Sequence, residues 1–147
     1  MPNVSRLFVK TSLIFLVLTF LSGAVLQAYQ SLGSLDAPWG FIVAHTHAGT
    51  VGWLALMVMG VAYWMFPLDK ARFEGGKGRY HETLAKTNYW LVTGGLILRI
   101  LIESFTVRGA GGVTGALLVI SGFSQAVGVL IFVWEIWSRV RGIGKQA

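Results

Sequence analysis

Ala44-His45-Thr46-His47-Ala48-Gly49-Thr50-Val51-Gly52-Trp53 opens an apolar run that closes at Tyr63-Trp64-Met65-Phe66-Pro67, and the chain holds only one other histidine. The length of that run decides the fold. A helix needs about 20 apolar residues to cross the hydrocarbon layer of a bilayer, and the stretch 41–66 supplies them without the alternation of a strand. The closing aromatics and Pro67 mark one membrane interface, and Trp39 behind the turn Asp36-Ala37-Pro38 marks the other. His45 then lies about one helical turn, roughly 6 Å, inside the second boundary. Two imidazoles in that position point to a metal or haem iron, because neutral imidazole is the commonest metal ligand and ionisable groups inside a span are costly. The competing reading is a pair of interfacial histidines that reach headgroups or cap backbone.

Working outward, three more stretches have the length and character of a span: 7–28, 88–106 and 113–137. With 54% hydrophobic and 12% charged residues in a chain of 147, the expectation is an all-α, polytopic membrane protein. It forms a single domain, a four-transmembrane-helix bundle with little chain left for anything else. The first stretch imitates a signal peptide at its small residues Ala24 to Ala28, yet its apolar run exceeds a usual signal core, so it reads as a retained helix. Cysteine is absent, which removes disulfides and thiolate ligands.

Twelve Lys and Arg face six acidic residues, and their distribution carries the meaning. Arg6 and Lys10 precede the first span, Lys70, Arg72, Lys77, Arg79 and Lys86 surround the second connection, and Arg139, Arg141 and Lys145 follow the fourth span. The first connection holds Asp36 and no cation, and the third holds Arg108. By the positive-inside rule both termini and the second connection are cytoplasmic. His45 and His47 then face the outer, periplasmic side of what is expected to be a bacterial inner membrane. The cations meet anionic membrane lipid, and no nucleic acid partner is called for. Glu74-Gly75-Gly76-Lys77-Gly78-Arg79 lacks the ordered spacing, and the preceding strand, of a nucleotide-binding loop.

In the third span Arg99 and Glu103 stand four apart, on one helical face and at the depth of the two histidines. They form an internal ion pair, or Arg99 meets an anionic cofactor group such as a haem propionate through its guanidinium fork. Gly49, Gly52 and Gly60 give the second span a smooth side that suits a neighbouring helix or a flat macrocycle. Gly111 and Gly115, then Ser121, Gly122, Ser124, Ala126 and Gly128, read as close helix packing in the fourth span. Gln125 is expected to make an interhelical hydrogen bond, Glu135 to reach interface water, and His81 to be solvated.

His45-Thr46-His47, Gly52-Trp53, Gly60 and Tyr63-Trp64-Met65-Phe66-Pro67 resemble helix two of subunit I of the haem-copper oxidases, above all the catalytic subunits of cbb3-type oxidases and nitric oxide reductases. The chain as a whole is similar to short, four-helix relatives of that subunit, with Ser121 to Trp137 resembling the closing helix. The resemblance implies that His45, at the position of the family's His-Thr-Asn histidine, binds low-spin haem b. His47 stands where that motif has asparagine. A complete oxygen- or NO-reducing core requires more histidines than the three present, so the chain reads as retaining at most the low-spin haem portion.

Helix geometry narrows this further. Residues two apart are separated by about 200° around a helix, so His45 and His47 cannot fill both axial positions of one haem. The first, third and fourth spans contain neither histidine nor methionine. A haem at His45 is therefore five-coordinate, or takes its sixth ligand from water, an unusual side chain, or a histidine of another chain. The last option implies a homo-oligomer or a larger membrane complex that completes the ligation. The expected function is a haem b binding membrane protein, an electron-transfer or accessory subunit of a respiratory complex, with His45 axial, His47 a second ligand or partner contact, and Arg99 near the propionates. The alternatives are a cofactor-free structural subunit, and a copper or zinc ion held by histidines of two chains. A stand-alone enzyme is not expected, because no second redox centre or acid/base constellation is visible.

Overall fold

The computed structural model describes residues 1–32, 38–73, 78–105 and 111–140. Asp36, Arg108, Arg141, Lys145 and the segment 74–77 lie outside the described residues. Four long helices make the fold: α1 (Asn3–Leu32), α2 (Trp39–Met65), α3 (Glu82–Phe105) and α4 (Gly112–Trp137). They run alternately up and down. The start of α1 meets the α2–α3 connection, where Tyr80 bonds the Val4 backbone, while Ser22 near its far end meets His45 at the start of α2. α1 packs along α2 and α3 along α4, and the histidine-bearing part of α2 joins the two pairs by packing on α3.

Among the described residues three helices are long and apolar enough to cross a membrane, α1, α2 and α4. The expectation of four such spans is corrected at α3. Glu82, Lys86, Asn88, Thr93, Arg99 and Glu103 make it the polar rod of the bundle. Several of those groups turn inward: Asn88, Thr93 and Glu103 are buried. On α1 and α4 the pattern is reversed, with Phe20, Leu21, Phe123, Leu130 and Trp134 turned outward. Apolar outer faces and a polar interior are the arrangement of an integral membrane protein.

Close helix approach is built from glycine against aromatic rings. A Cβ on Gly52 would stand 2.5 Å from Phe15 Cγ, and one on Gly60 would stand 2.7 Å from Phe8 Cβ. The smooth side of α2 is thereby filled by α1, the neighbouring helix rather than a macrocycle. Gly128 admits Val92 in the same way across α3 and α4. Phe8, Tyr63, Tyr89, Leu56, Val92 and Leu96 form the buried centre. Phe8 holds it together with ring centroids 5.7 Å from Tyr63 and 5.2 Å from Tyr89.

α2 is not uniform. Residues Ala48–Ala55 form a π-helix between α-helical segments Trp39–His47 and Leu56–Met65. A π stretch widens the turn and is commonly found at functional positions. Here it begins directly after His47 and holds Gly49 and Gly52, the two residues that face Thr19 and Phe15 of α1.

Candidate functional site

The two histidines leave α2 on different sides. His45 turns toward α1, where its Nδ1 lies 2.9 Å from Ser22 Oγ, and its ring rests on Gly23, whose Cβ would stand 3.1 Å from His45 Cε1. His47 turns toward α3, where its Nδ1 lies 2.8 Å from Glu103 Oε2. The other carboxylate oxygen, Oε1, accepts from Arg99 Nε at 2.8 Å. So His47, Glu103 and Arg99 form one hydrogen-bonded chain, and His45 stands apart from it. Arg99 thus meets a carboxylate of its own helix, and its Nη1 approaches Gly122 of α4.

Both imidazoles are held through Nδ1, and among the described residues neither Nε2 makes a hydrogen bond. That is how a metal-ligating histidine is oriented, by a bond to the ring nitrogen that does not ligate. His45 also lines an open groove of about 320 Å³ with Thr19, Thr46, Gly49, Thr50, Trp53 and Leu54. Thr19 Oγ1 is buried beside the groove without a partner among the described residues. Among the described residues no three His, Cys, Asp or Glu side chains come together as a cation site. Among the described residues, His45 Nε2 is thus a nitrogen donor without a hydrogen bond beside this groove.

The opposite end of the bundle holds a second cluster that the charge pattern concealed. Arg139, read from sequence as a lipid-facing cation, is fully buried. It donates to the carbonyls of Phe66 at 2.6 Å, Arg79 at 2.7 Å and Pro67 at 2.9 Å, with longer bonds to Tyr63 and Ala62. In this way it caps the C-terminal carbonyls of α2. Burial, then the neighbouring Arg79 cation, push the guanidinium below its ordinary value, while Glu135 pulls the other way. Glu135 is also fully buried rather than in contact with interface water. Its Oε1 accepts from the His81 backbone N–H at 2.8 Å and lies 3.0 Å from His81 Nδ1. The ring of His81 is stacked edge-on against Phe73, and its side chain is 47% exposed. Glu135 and Arg139 stand four apart, the spacing that already signalled a cluster for Arg99 and Glu103.

No protein-family model matches the chain, and no solved structure matches it. Two curated proteins do, at a distance. Cytochrome c oxidase subunit 1 of Rhodobacter capsulatus is 27% identical over 73 residues, 50% of this chain and 13% of that protein. The Cbb3-type cytochrome c oxidase subunit CcoN1 of Stutzerimonas stutzeri is 28% identical over 93 residues, 63% of this chain and 19% of that protein. The chain is therefore a distant relative of oxidase subunit I, and it matches less than a fifth of the length of either protein.

Proposed function

We propose that the protein is a haem b binding subunit of a respiratory membrane complex, with His45 as one axial ligand and a second chain supplying the other. The observation that carries this reading is the setting of His45: Nδ1 tied to Ser22, ring seated on Gly23, Nε2 without a bond, beside an open groove. The distant likeness to two cytochrome c oxidase subunits supports the same cofactor class. A bound haem b supplies one-electron carriage between partners. The residues of this chain hold and orient it: Ser22 fixes the imidazole plane, Gly23 leaves room for the ring, and Thr19, Gly49 and Trp53 shape the wall.

His47 faces α3 and belongs to a different surface. Tied to Glu103, it meets a partner chain or serves as a ligand toward one, with Arg99 completing the charge balance. α3, which carries Glu82, Lys86, Arg99 and Glu103, packs beside the three apolar helices through its contacts with α2 and α4. The distribution of Lys and Arg supports reading the His45 end as the outer one and the Arg139 end as the cytoplasmic one. The protein acts within an assembly, either a homo-oligomer or a larger complex, and not as a complete oxidase.

One observation favours a second reading, a structural subunit without cofactor. The glycine side of α2 is filled by Phe8 and Phe15, and His47 ties α2 to Glu103 of α3 through its Nδ1. Replacing His45 and His47 separately by Gln separates the two. Haem content that falls with His45→Gln while the oligomer mass is kept supports the ligand role. A wild type purified from haem-replete membranes without any haem absorbance overturns it in favour of the structural reading.

A further inference from the structure

We propose that Glu135 and His81 form a proton-exchange site, in which the half-exposed His81 ring passes protons between water and the buried Glu135 carboxyl. The Glu135 carboxyl sits inside the bundle with its two oxygens in different surroundings. Glu135 is fully buried, and while Oε1 has the His81 N–H, Oε2 is buried with no partner among the described residues. Nearby, Asn88 donates Nδ2 to the Tyr63 hydroxyl at 3.0 Å, and its own Oδ1 is likewise a buried acceptor without a donor. The Tyr63 hydroxyl interacts with the Glu135 carboxylate at longer range. An ionised carboxylate can only accept, whereas a protonated one also donates. The Tyr63 O–H, unused in the bond from Asn88, can satisfy the ionised carboxylate, and a proton arriving on Glu135 makes the carboxyl a donor in its turn.

The charged and titratable groups around the carboxyl are Tyr63 from α2, Arg79, Tyr80 and His81 from the α2–α3 connection, and Arg139 beyond α4. Asn88 of α3 reaches the Tyr63 hydroxyl as a neutral group. Arg139 and the Tyr63 O–H support the ionised form, and full burial of the carboxyl supports the protonated one, so both states have support within the same site. His81 is the route out, since its ring is in contact with Glu135 on one nitrogen and half-exposed as a side chain.

The step balances without electrons. A proton from water binds His81 Nε2, the Nδ1 proton moves to Glu135 Oε1, and the imidazole is left neutral in its other tautomer. Rotation of the carboxyl group then presents the proton inward, toward the Tyr63 hydroxyl. Only N–H and O–H bonds are exchanged, and every move is reversible. The site is independent of the His45 groove, and its failure would leave the haem reading untouched.

Infrared difference spectroscopy on the full chain in liposomes, with pH stepped through roughly 5 to 8, tests it, because exposed carboxylates have ionised by then and histidine titrates within it. The wild type is expected to show a protonated-carboxyl C=O band that responds to pH and shifts in D2O. The band is lost in Glu135→Gln, and its pH dependence shifts in His81→Phe. If Glu135→Gln fails to fold, Asp69→Asn and Glu103→Gln serve instead, and the band must survive in both. No carboxyl band in the wild type overturns the proposal, as does a band lost with Asp69 or Glu103, or a His81→Phe titration that superimposes on wild type.

Discussion

Replacing Arg139 by alanine removes a fully buried guanidinium that closes the end of the bundle. Three of its bonds are short, at 2.6, 2.7 and 2.9 Å, to carbonyls of Phe66, Arg79 and Pro67. A hydrogen bond from a charged donor contributes about 1.5–3 kcal/mol, and bonds made by one group do not add fully. The truncation also removes a longer-range attraction to the buried Glu135 carboxylate. Water and headgroups re-solvate part of the carbonyl set, which places the expected loss at about 3–5 kcal/mol in total. At roughly 2–4 °C per kcal/mol for a chain of this size, the unfolding midpoint in detergent falls by about 6–20 °C. The six tryptophans provide the fluorescence signal for the melt. Arg139→Lys recovers less than half, because a compact ammonium cannot span the same carbonyls. In combination with Glu135→Gln the loss is smaller than the sum of the singles, as expected for coupled charges. A loss below about 1 kcal/mol for Arg139→Ala would refute the reasoning and return Arg139 to the role of a solvated, lipid-facing cation.

Two glycines are expected to behave oppositely. Gly52→Leu drives a side chain into Phe15, already 2.5 Å from the Cβ position, and destabilises by about 1–3 kcal/mol; Gly94→Ala meets nothing within 4 Å and stabilises by up to about 1 kcal/mol. Paired melts of the two variants check this directly. Burial raises the Tyr80 phenol above its ordinary value. Its contribution is therefore complete below about pH 10, the unfolded value, and is lost as pH climbs toward the folded one. Tyr80→Phe flattens that alkaline loss and, by removing the bond to the Val4 backbone, lowers the midpoint slightly at neutral pH.

Helices and their rough extents follow from apolar length, which is why 41–66 and 113–137 lie within a few residues of Trp39–Met65 and Gly112–Trp137. α1 and α3 start earlier than the apolar runs, at Asn3 and Glu82, because Arg6, Lys10 and Lys86 end a hydropathy run without ending a helix. The opposed directions of His45 and His47 follow from helical spacing, and each histidine has its partner on a different helix. The π-helix at 48–55 leaves no mark in the sequence beyond two glycines, since it depends on how α1 seats Phe15 and Thr19. Charge was legible in number and poorly legible in place. Arg139 and Arg99 look alike to the positive-inside rule and to a helical wheel, but their depth is set by chain that folds back from elsewhere, residues 62–67 and 79 in one case and His47 in the other. Gln125 shows the same limit, for its Nε2 is buried without the interhelical partner its position suggested, among the described residues.

The most direct test of His45 as a haem ligand completed from outside the chain is a reduced-minus-oxidised absorbance spectrum of the purified oligomer, recorded for wild type and for His45→Ala. A b-type spectrum with both axial positions filled, present in the oligomer and lost in His45→Ala at unchanged helix content, is the predicted result. A folded wild type without haem absorbance, or a spectrum that survives His45→Ala unchanged, contradicts it.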